Sequence, residues 1–245
     1  MSRGLRAQNQ AGILSVLRKR NNCDGLAKMK ICFIIAKALG KIMNYQKNPV
    51  YGLTGNIGCG KSTVAKILKH WNENIVVIDS DRIAKNLLSL PGQKQILHTM
   101  FGDAVFTDDV IDFKKLANVI FSDRQRKKEL EEFLHQSTWG GIKLTMQLTR
   151  ADFFIVESAI IFEHGWENRF DAMIVVTCSK EDQYSRLLAR GLSHKEVQLR
   201  FDNQLPSQEK EKRAHYIIDT SCTMPELYQR VFELYKVLQY RKNPA

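Results

Sequence analysis

The feature that most constrains this chain is a glycine-rich loop of fixed spacing near residue 60. Residues 55–62 read GNIGCGKS and match the pattern G-x-x-x-x-G-K-[ST] at each fixed position. An apolar run precedes the loop and a helical pattern follows it, which is the arrangement that phosphate binding by this pattern requires. Glycines let backbone N–H groups point inward at phosphate oxygens, and the helix adds the positive end of its dipole. The loop therefore predicts a nucleotide-binding fold.

The polar residues of this loop have separate expected roles. Lys61 is predicted to reach the β- and γ-phosphates of ATP, and the hydroxyl of Ser62 to hold Mg²⁺. Cys59 is expected to contribute its backbone N–H, and a redox role is the alternative. The predicted nucleotide contacts are Gly55, Asn56, Gly58, Cys59, Gly60, Lys61, Ser62 and Thr63.

The rest of the chain from residue 49 alternates short apolar runs with longer helical stretches, which is typical of a parallel sheet with crossover helices. Helical spacing and capping boxes at Ser122, Ser179 and Ser193 mark helix starts, and Gly191 is expected to end a helix. These patterns predict an α/β fold with a P-loop NTPase-type parallel β-sheet core flanked by helices. The predicted strands are 50–53, 75–78, 153–156, 173–177 and 216–218, and the predicted helices include 61–71, 225–238 and most of 82–150.

The positive charge of the chain is concentrated at its N-terminal end. The net charge is +11, of which residues 1–48 hold +9 and residues 49–245 hold +2. Nucleic-acid binding needs a concentrated basic surface, so we expect no nucleic-acid partner for the main domain. Residues 1–48 fit a secretory signal, an organelle transit peptide, or an extension that is disordered or comes from an upstream start. We favour the extension, because no clean cleavage site follows the apolar stretch 31–36 and a start at Met43 keeps the whole predicted fold.

The spacing of the cysteines and the length of the apolar runs indicate the cellular compartment in which we expect the protein. The five cysteines are widely spaced and include no C-x-x-C pair. We therefore expect neither a zinc site nor a disulfide framework, and we expect a cytoplasmic location. No apolar run approaches the roughly 18 residues of a membrane-spanning helix, so no membrane partner is expected.

The type of nucleotide chemistry is narrowed by further patterns. The chain has no N-K-x-D guanine signature, and no predicted strand ends in the Asp-Glu pair typical of hydrolytic ATPases. The second predicted strand instead ends in Asp79-Ser80-Asp81, where strand alternation would send both carboxylates to one side. At the carboxyl end of a parallel strand, that side faces the crevice in which ligands bind. These observations favour a kinase.

A series of segments resembles the dephospho-CoA kinase family. Residues 50–63 (VYGLTGNIGCGKST) and 77–84 (VIDSDRIA) are similar to the family pattern LTGGIGSGKS…IDADxIA. Residues 121–135 resemble its helix that ends in His, and 157–163 (ESAIIFE) its LLFE segment. The C-terminal landmarks follow in the family's order, and the similarity covers about residues 49–240. These landmarks are Arg186, Arg190, Arg200, Gln204 and residues 214–219 (AHYIID).

The resemblance implies a reaction and two acidic site residues. The family transfers the γ-phosphate of ATP, with Mg²⁺, to the 3′-hydroxyl of the ribose of dephospho-CoA. Asp81 would then be the general base, although Asp also favours the N-cap position of a helix, which is its alternative role. Asp79 would bind Mg²⁺ through a water molecule or position the reactants.

The resemblance also implies a helical acceptor-binding insert at about 82–150 and a lid at about 186–206. Arg186 and Arg190 lie four residues apart on one predicted helix, so they would clamp the triphosphate from one face, and a solvated basic face is the alternative. Arg200 and Gln204 repeat the spacing and would contact the nucleotide or fix the lid. Further candidates for metal or acceptor contacts are His135, Glu157, Phe162 and Glu163.

The chain departs from the family pattern at four positions that concern the adenine and acceptor contacts: Asn56, Gln136, His215 and Thr220. The residues expected to carry catalysis match the pattern. Two other functions stay open at this point, a nucleoside or nucleotide kinase of the same fold and a nucleotide-binding regulatory protein that transfers no phosphate. RNA binding through residues 1–48 is a third function that stays open. The sequence does not determine the oligomeric state.

Overall fold

The computed structural model describes residues 48–88 and 90–242. Contacts divide these residues into a smaller unit, 88–116, and a larger unit, 48–87 together with 117–242. The predicted N-terminal extension lies outside the described residues, apart from Asn48. Within the two described stretches, no helix is both long and apolar enough to cross a membrane.

The larger unit is built on a five-stranded sheet in which every pairing is parallel. The strands, in chain order, are β1 (Val50–Thr54), β2 (Val76–Asp79), β5 (Phe154–Glu157), β6 (Ala172–Thr177) and β7 (Tyr216–Asp219). Their spatial order is β2-β5-β1-β6-β7, so β1 is central and the glycine-rich loop that follows it lies at the middle of the carboxyl edge. The predicted parallel sheet is confirmed, and the predicted strand bounds differ from the observed ones by one residue at most ends.

Helices connect these strands. The helix α1 follows β1, α2 follows β2, α4 and α5 precede β5, and three short helices separate β6 from β7 before the terminal helix. Their bounds are α1 (Lys61–Trp71), α2 (Ser80–Leu88), α4 (Phe113–Ser122), α5 (Arg124–Leu148), α6 (Lys180–Ala189), α7 (His194–Asp202), α8 (Ser207–Lys212) and α9 (Met224–Lys242). The terminal helix is thus longer than the predicted 225–238.

Apolar side chains are buried on both faces of the sheet, which explains why its strands are mostly apolar up to their carboxyl ends. On one face, Leu68 of α1 and Val231 of α9 pack with Ile155 of β5. On the other face, Ile142 of α5 packs with Val156, the next residue of the same strand. Alternate residues of β5 therefore belong to opposite cores.

The smaller unit contains a structure that the sequence analysis did not predict. After α3 (Pro91–Phe101), two short strands, β3 (Phe106–Thr107) and β4 (Val110–Ile111), form an antiparallel hairpin. Its turn residues Asp108 and Asp109 have φ values of 49° and 61°, as a two-residue hairpin turn of type I′ requires. The prediction that most of 82–150 is helical is confirmed, but it did not include this hairpin, because an Asp-Asp turn between two-residue strands is a weak hairpin signal.

Helix caps agree with the sequence at two of three predicted starts. Ser179 caps α6, and at Ser193 both bonds of the capping box are present. Gly191 follows α6 with a φ of 86°, as a C-terminal glycine should. The prediction of Ser122 as a cap is wrong, because Asp123 accepts the N–H groups that begin α5. Asp and Ser are both strongly preferred at the N-cap, so the sequence Ser122-Asp123 does not by itself decide which residue caps the helix.

Candidate functional site

The loop after β1 has the backbone that a phosphate cradle requires. Gly55, Gly58 and Gly60 have φ values of 144°, 83° and 93°, a region that glycine occupies without strain. A Cβ on Gly55 would lie 2.1 Å from the carbonyl oxygen of Val176, so a side chain does not fit there. Asn56, which replaces a glycine of the family pattern, does not have a positive φ, so the replacement brings no backbone strain.

The loop opens into a cleft of about 610 Å³. Five cationic and three acidic side chains line it, so the wall has a positive balance that suits a polyphosphate. These charged residues are Lys61, Asp79, Asp81, Arg82, Lys85, Glu157, Arg190 and Arg200.

The first two residues of α1 place polar groups at this cleft. Lys61 Nζ donates to the carbonyl oxygens of Gly55 at 2.9 Å and Asn56 at 3.2 Å. Ser62 Oγ donates to Glu157 Oε1 at 2.6 Å. Hydroxyl and carboxylate oxygens are the ligands that Mg²⁺ prefers, so the chemistry of this pair suits the ion.

Two other predicted nucleotide contacts use their N–H groups inside the loop. Cys59 N donates to Asn56 O at 3.2 Å, and Thr63 N donates to Gly60 O at 3.0 Å. The Cys59 side chain is buried, and this burial raises the pKa of its thiol. Redox chemistry uses the thiolate, so the environment does not favour the redox alternative.

Asp79 and Asp81 both line the cleft, as predicted, but the predicted cause, alternation along one strand, does not apply. The strand β2 ends at Asp79 and α2 begins at Ser80, so Asp81 lies in the first helical turn. Asp79 Oδ1 accepts the N–H of Arg82 at 2.9 Å. The capping role considered for Asp81 is therefore performed by Asp79. Desolvation in the cleft, together with the charge of Asp79, raises the pKa of Asp81, as is common for a catalytic base.

The two lid arginines predicted to act from one helix face are separated in the structure. Arg190 follows the last residue of α6 and lines the cleft. Arg186 instead donates to Thr220 Oγ1 and to Thr220 O, both at 2.9 Å. Thr220 Oγ1 in turn donates to the carbonyl oxygen of Cys59 at 2.8 Å. Arg186 is therefore connected to the phosphate loop through Thr220, whose hydroxyl lies between Arg186 and the Cys59 carbonyl. Thr220 is one of the positions that depart from the family pattern.

The segment after α7 is joined to the phosphate loop by side-chain bonds. Ile57 N donates to Gln204 Oε1 at 2.9 Å, and Asn56 Nδ2 donates to Leu205 O at 3.1 Å. The side-chain amide of Gln183 also donates to Ile57 O. Of the two functions considered for Arg200 and Gln204, the structure gives Gln204 a tethering contact, and both side chains line the cleft.

Sequence reasoning missed the most buried charge of this region. Lys210 is fully buried, and its Nζ donates to Ala159 O at 2.8 Å and pairs with Glu163 Oε1 at 2.8 Å. Burial lowers the pKa of Lys210, and the bond to Glu163 partly opposes this shift. The surrounding helix reads SQEKEK, a polar sequence without an apolar face that would indicate a buried lysine.

His135, a candidate for acceptor contacts, packs against another histidine instead of lining the cleft. Its ring centroid lies 3.5 Å from that of His164 and 5.6 Å from that of Trp166. Burial, and the neighbouring His135, lower the pKa of His164 to about 4. An acceptor contact of His135 stays a prediction.

Comparison with known families and proteins gives a consistent result. The family model of dephospho-CoA kinase matches residues 49–226. The chain is similar to the dephospho-CoA kinase of Aquifex aeolicus, with 35% identity over 191 residues, which are 76% of this chain and 96% of that protein. The dephospho-CoA kinase of Thermus thermophilus is 34% identical over 183 residues, 74% of this chain and 88% of that protein.

Solved structures agree with these sequence matches. A crystal structure of a Thermus thermophilus protein superposes with a TM-score of 0.71 and 33% identity, over 78% of this chain and 98% of that one. The dephospho-CoA kinase of Campylobacter jejuni superposes with a TM-score of 0.57 and 26% identity, over the same shares of the two chains.

Proposed function

The chain belongs to the dephospho-CoA kinase family, a family of ATP-dependent kinases, and we propose that it phosphorylates the 3′-hydroxyl of the ribose of dephospho-CoA to give coenzyme A and ADP. One observation carries this proposal. The phosphate loop with Lys61 and a carboxylate of raised pKa, Asp81, line the same cleft. A kinase needs both groups beside each other, one for the phosphates and one for the attacking hydroxyl.

The proposed ATP contacts are the loop and the cations of the cleft. The backbone amides of residues 55–63 other than those of Ile57, Cys59 and Thr63, which donate within the protein, hold the phosphates together with the N-terminus of α1, and Lys61 adds an N–H to the β- and γ-phosphates. An ammonium has three N–H donors, so Lys61 can bind a phosphate oxygen while it keeps its bonds to the loop carbonyls. Arg190 and Arg200 bind the transferring phosphoryl group from the lid side. Arg186 enters the reaction directly only if it leaves Thr220, so its predicted clamp stays a proposal.

Asp81 is the proposed general base. Its carboxylate accepts the proton of the acceptor hydroxyl as that oxygen attacks the γ-phosphorus. The raised pKa of Asp81 brings its basicity closer to that of a neutral-pH proton acceptor. Because Asp79 performs the helix cap, capping does not occupy the Asp81 carboxylate, which keeps a hydrogen bond with Ser80.

Mg²⁺ is proposed to bind at Ser62 and Asp79. Both residues line the cleft and offer hard oxygen ligands, and Glu157 holds the Ser62 hydroxyl by accepting its hydrogen. When bound, the ion neutralises charge on the β- and γ-phosphates. Ser62 keeps its oxygen lone pairs for the ion while it donates to Glu157.

We also propose the wider setting of this activity. The kinase domain extends over about 49–240 with the acceptor-binding insert at about 82–150 and the lid at about 186–206. The thiols of Cys59, Cys178 and Cys222 are unpaired, which supports a reducing, cytoplasmic compartment. The acceptor is a small molecule, and we propose no nucleic-acid partner.

An acceptor panel tests the proposed substrate. ADP release from ATP and Mg²⁺ is followed with dephospho-CoA, with nucleosides and with nucleoside monophosphates. We expect dephospho-CoA to be the preferred acceptor by kcat/KM. A preference for a nucleoside or nucleotide would show that the protein is a nucleoside or nucleotide kinase. ATP binding without turnover of any acceptor would favour a regulatory function.

A further inference from the structure

A fully buried lysine joins the segment after β5 to the segment after α7. The Lys210 side chain is 0% exposed, and that of its partner Glu163 is 17% exposed. Lys210 Nζ contacts Glu163 Oε1 and Ala159 O, each at 2.8 Å. Ala159 itself lines the nucleotide cleft, whereas Lys210 does not, so Lys210 acts on the cleft only through its neighbours.

Glu163 continues this connection towards the phosphate loop. The oxygen that pairs with Lys210 also accepts the N–H of Leu205 at 2.9 Å. Leu205 O accepts from Asn56 Nδ2, and the adjacent Gln204 accepts the N–H of Ile57. A continuous series of hydrogen bonds therefore runs from Lys210 through Glu163 and residues 204–205 to the phosphate loop.

The free energy of burying this ion pair indicates that the pair contributes the orientation of its neighbours and little net stability. Moving an ammonium and a carboxylate out of water costs several kcal/mol per ion, and the attraction between them often does no more than offset this cost. An apolar pair of similar volume would hold the fold as well. An apolar pair cannot supply the directional hydrogen bonds that Glu163 accepts from Leu205 and that Lys210 donates to Ala159.

We propose that Lys210 and Glu163 are positioning residues of the kinase, which hold residues 200–205 against the phosphate loop so that Arg200 and Gln204 meet the nucleotide. This inference rests on the proposed ATP-dependent phosphoryl transfer. Phosphoryl transfer depends mainly on positioning and charge stabilisation. Loss of the pair therefore acts on the ATP side of the reaction, through residues that the variants do not touch.

The test uses three variants of the full chain: Lys210→Met, Glu163→Gln and the double variant. Lys210→Met keeps the volume but leaves a buried carboxylate without its cation, which is the costly arrangement. The double variant removes both charges and keeps an amide oxygen for Leu205. The matched control is Lys212→Met on the same helix, whose ion pair with Glu209 is exposed by 69% and 52% at its two side chains.

The measurements are kcat, KM for ATP and KM for dephospho-CoA, the Kd of a non-hydrolysable ATP analogue, and the melting temperature. We expect Lys210→Met to lower kcat/KM for ATP on the order of 100-fold, as for a misplacement of catalytic groups by about 1 Å. The analogue should bind more weakly, and the KM for dephospho-CoA should stay near that of the wild type. The double variant should recover only the part of the loss that comes from the unpaired carboxylate, because it still lacks the bond to Ala159 O. Lys212→Met should match the wild type.

Other results would overturn the proposal. A lower melting temperature with unchanged kinetics and analogue binding, measured where the variants are folded, would make the pair purely structural. A change in the KM for dephospho-CoA alone would place its effect on the acceptor side. If Lys210→Met does not fold, Glu163→Gln and the double variant give the same comparison. If the wild type does not phosphorylate dephospho-CoA, the proposed function fails, and analogue binding still decides the positioning role.

Discussion

Two neighbouring carboxylates in the cleft have different surroundings and therefore different expected functions. Asp79 accepts the N–H of Arg82 and ends β2, whereas Asp81 lies in the first turn of α2 and has a raised pKa. Changing each to Asn removes one charge with little change of shape. This pair offers two separate tests at the scale of single residues.

Asp81→Asn should reduce kcat on the order of 100- to 10,000-fold, which is the typical contribution of a general base. ATP binding should persist, because the phosphate loop and Lys61 are unchanged. Steady-state kinetics and calorimetric titration with an ATP analogue measure the two quantities. Loss of ATP binding together with kcat would mean that Asp81 organises the nucleotide site instead of accepting a proton.

At Mg²⁺ concentrations that saturate both enzymes, so that the loss of a proposed Mg²⁺ ligand is compensated, Asp79→Asn should move the acid limb of the pH profile of kcat/KM to lower pH. Desolvation and the negative charge of Asp79 both raise the pKa of Asp81, and the variant removes the second cause. A base loses activity as pH falls through its pKa, so a lower pKa keeps activity to lower pH. Asn also caps helices well, so the backbone should be retained. An unshifted limb would contradict the assignment of that limb to Asp81.

Thr220→Val should lower the free energy of unfolding by about 1–3 kcal/mol, because it removes the hydroxyl that accepts from Arg186 and donates to the Cys59 carbonyl, while the bond from Arg186 to the backbone oxygen of residue 220 remains. Thr220→Ser keeps the hydroxyl and should lose much less. Urea unfolding of both variants measures the difference. Equal stability of the two would show that the hydroxyl does not carry the connection between the loop and α6.

At the scale of elements, the segment after β5 is joined to α5 by the rings of His135 and His164. Burial keeps His164 neutral in the folded protein, with a pKa of about 4 compared with about 6.5 in an unfolded chain. Between these values, the unfolded state binds the proton more readily than the folded state does. Acidification therefore favours unfolding.

The free energy of unfolding should fall as pH decreases from about 6.5 towards 4, with His164 as a main contributor. His164→Phe should flatten this dependence, because the variant has no proton to bind at that position. Urea unfolding at several pH values between 4 and 7 measures the slope. A slope identical to that of the wild type would assign the acid sensitivity to other groups.

Elements that bury apolar residues on both sides could be predicted from the sequence, whereas contacts between distant polar residues could not. The apolar run 75–78 indicated β2 because a central parallel strand contacts helices on both faces. The pair of Lys210 with Glu163 spans 47 positions of the sequence, and Lys210 stands in no apolar pattern. Lysine is seldom fully buried unless it is paired, so only the three-dimensional structure identifies it.

At the scale of the whole molecule, we predict that the proposed kinase activity does not need the basic N-terminal segment. A chain that begins at Met43 should keep the kcat and both KM values of the full chain, because every group proposed for catalysis follows residue 48. Kinetics of the two chains, together with their retention on an RNA column, test this. Lost activity would place part of the site in the segment, and RNA retention that disappears with it would favour an RNA-binding function.

The most direct test of the proposed reaction is the structure of its product. The wild type and Asp81→Asn are incubated with ATP, Mg²⁺ and dephospho-CoA, and the product is separated and examined by phosphorus NMR and mass spectrometry. We expect coenzyme A with the new phosphate on the ribose 3′-oxygen, one ADP for each molecule formed, and almost no product from the variant. A phosphate at another position, or ATP binding without coenzyme A, would contradict the proposed function.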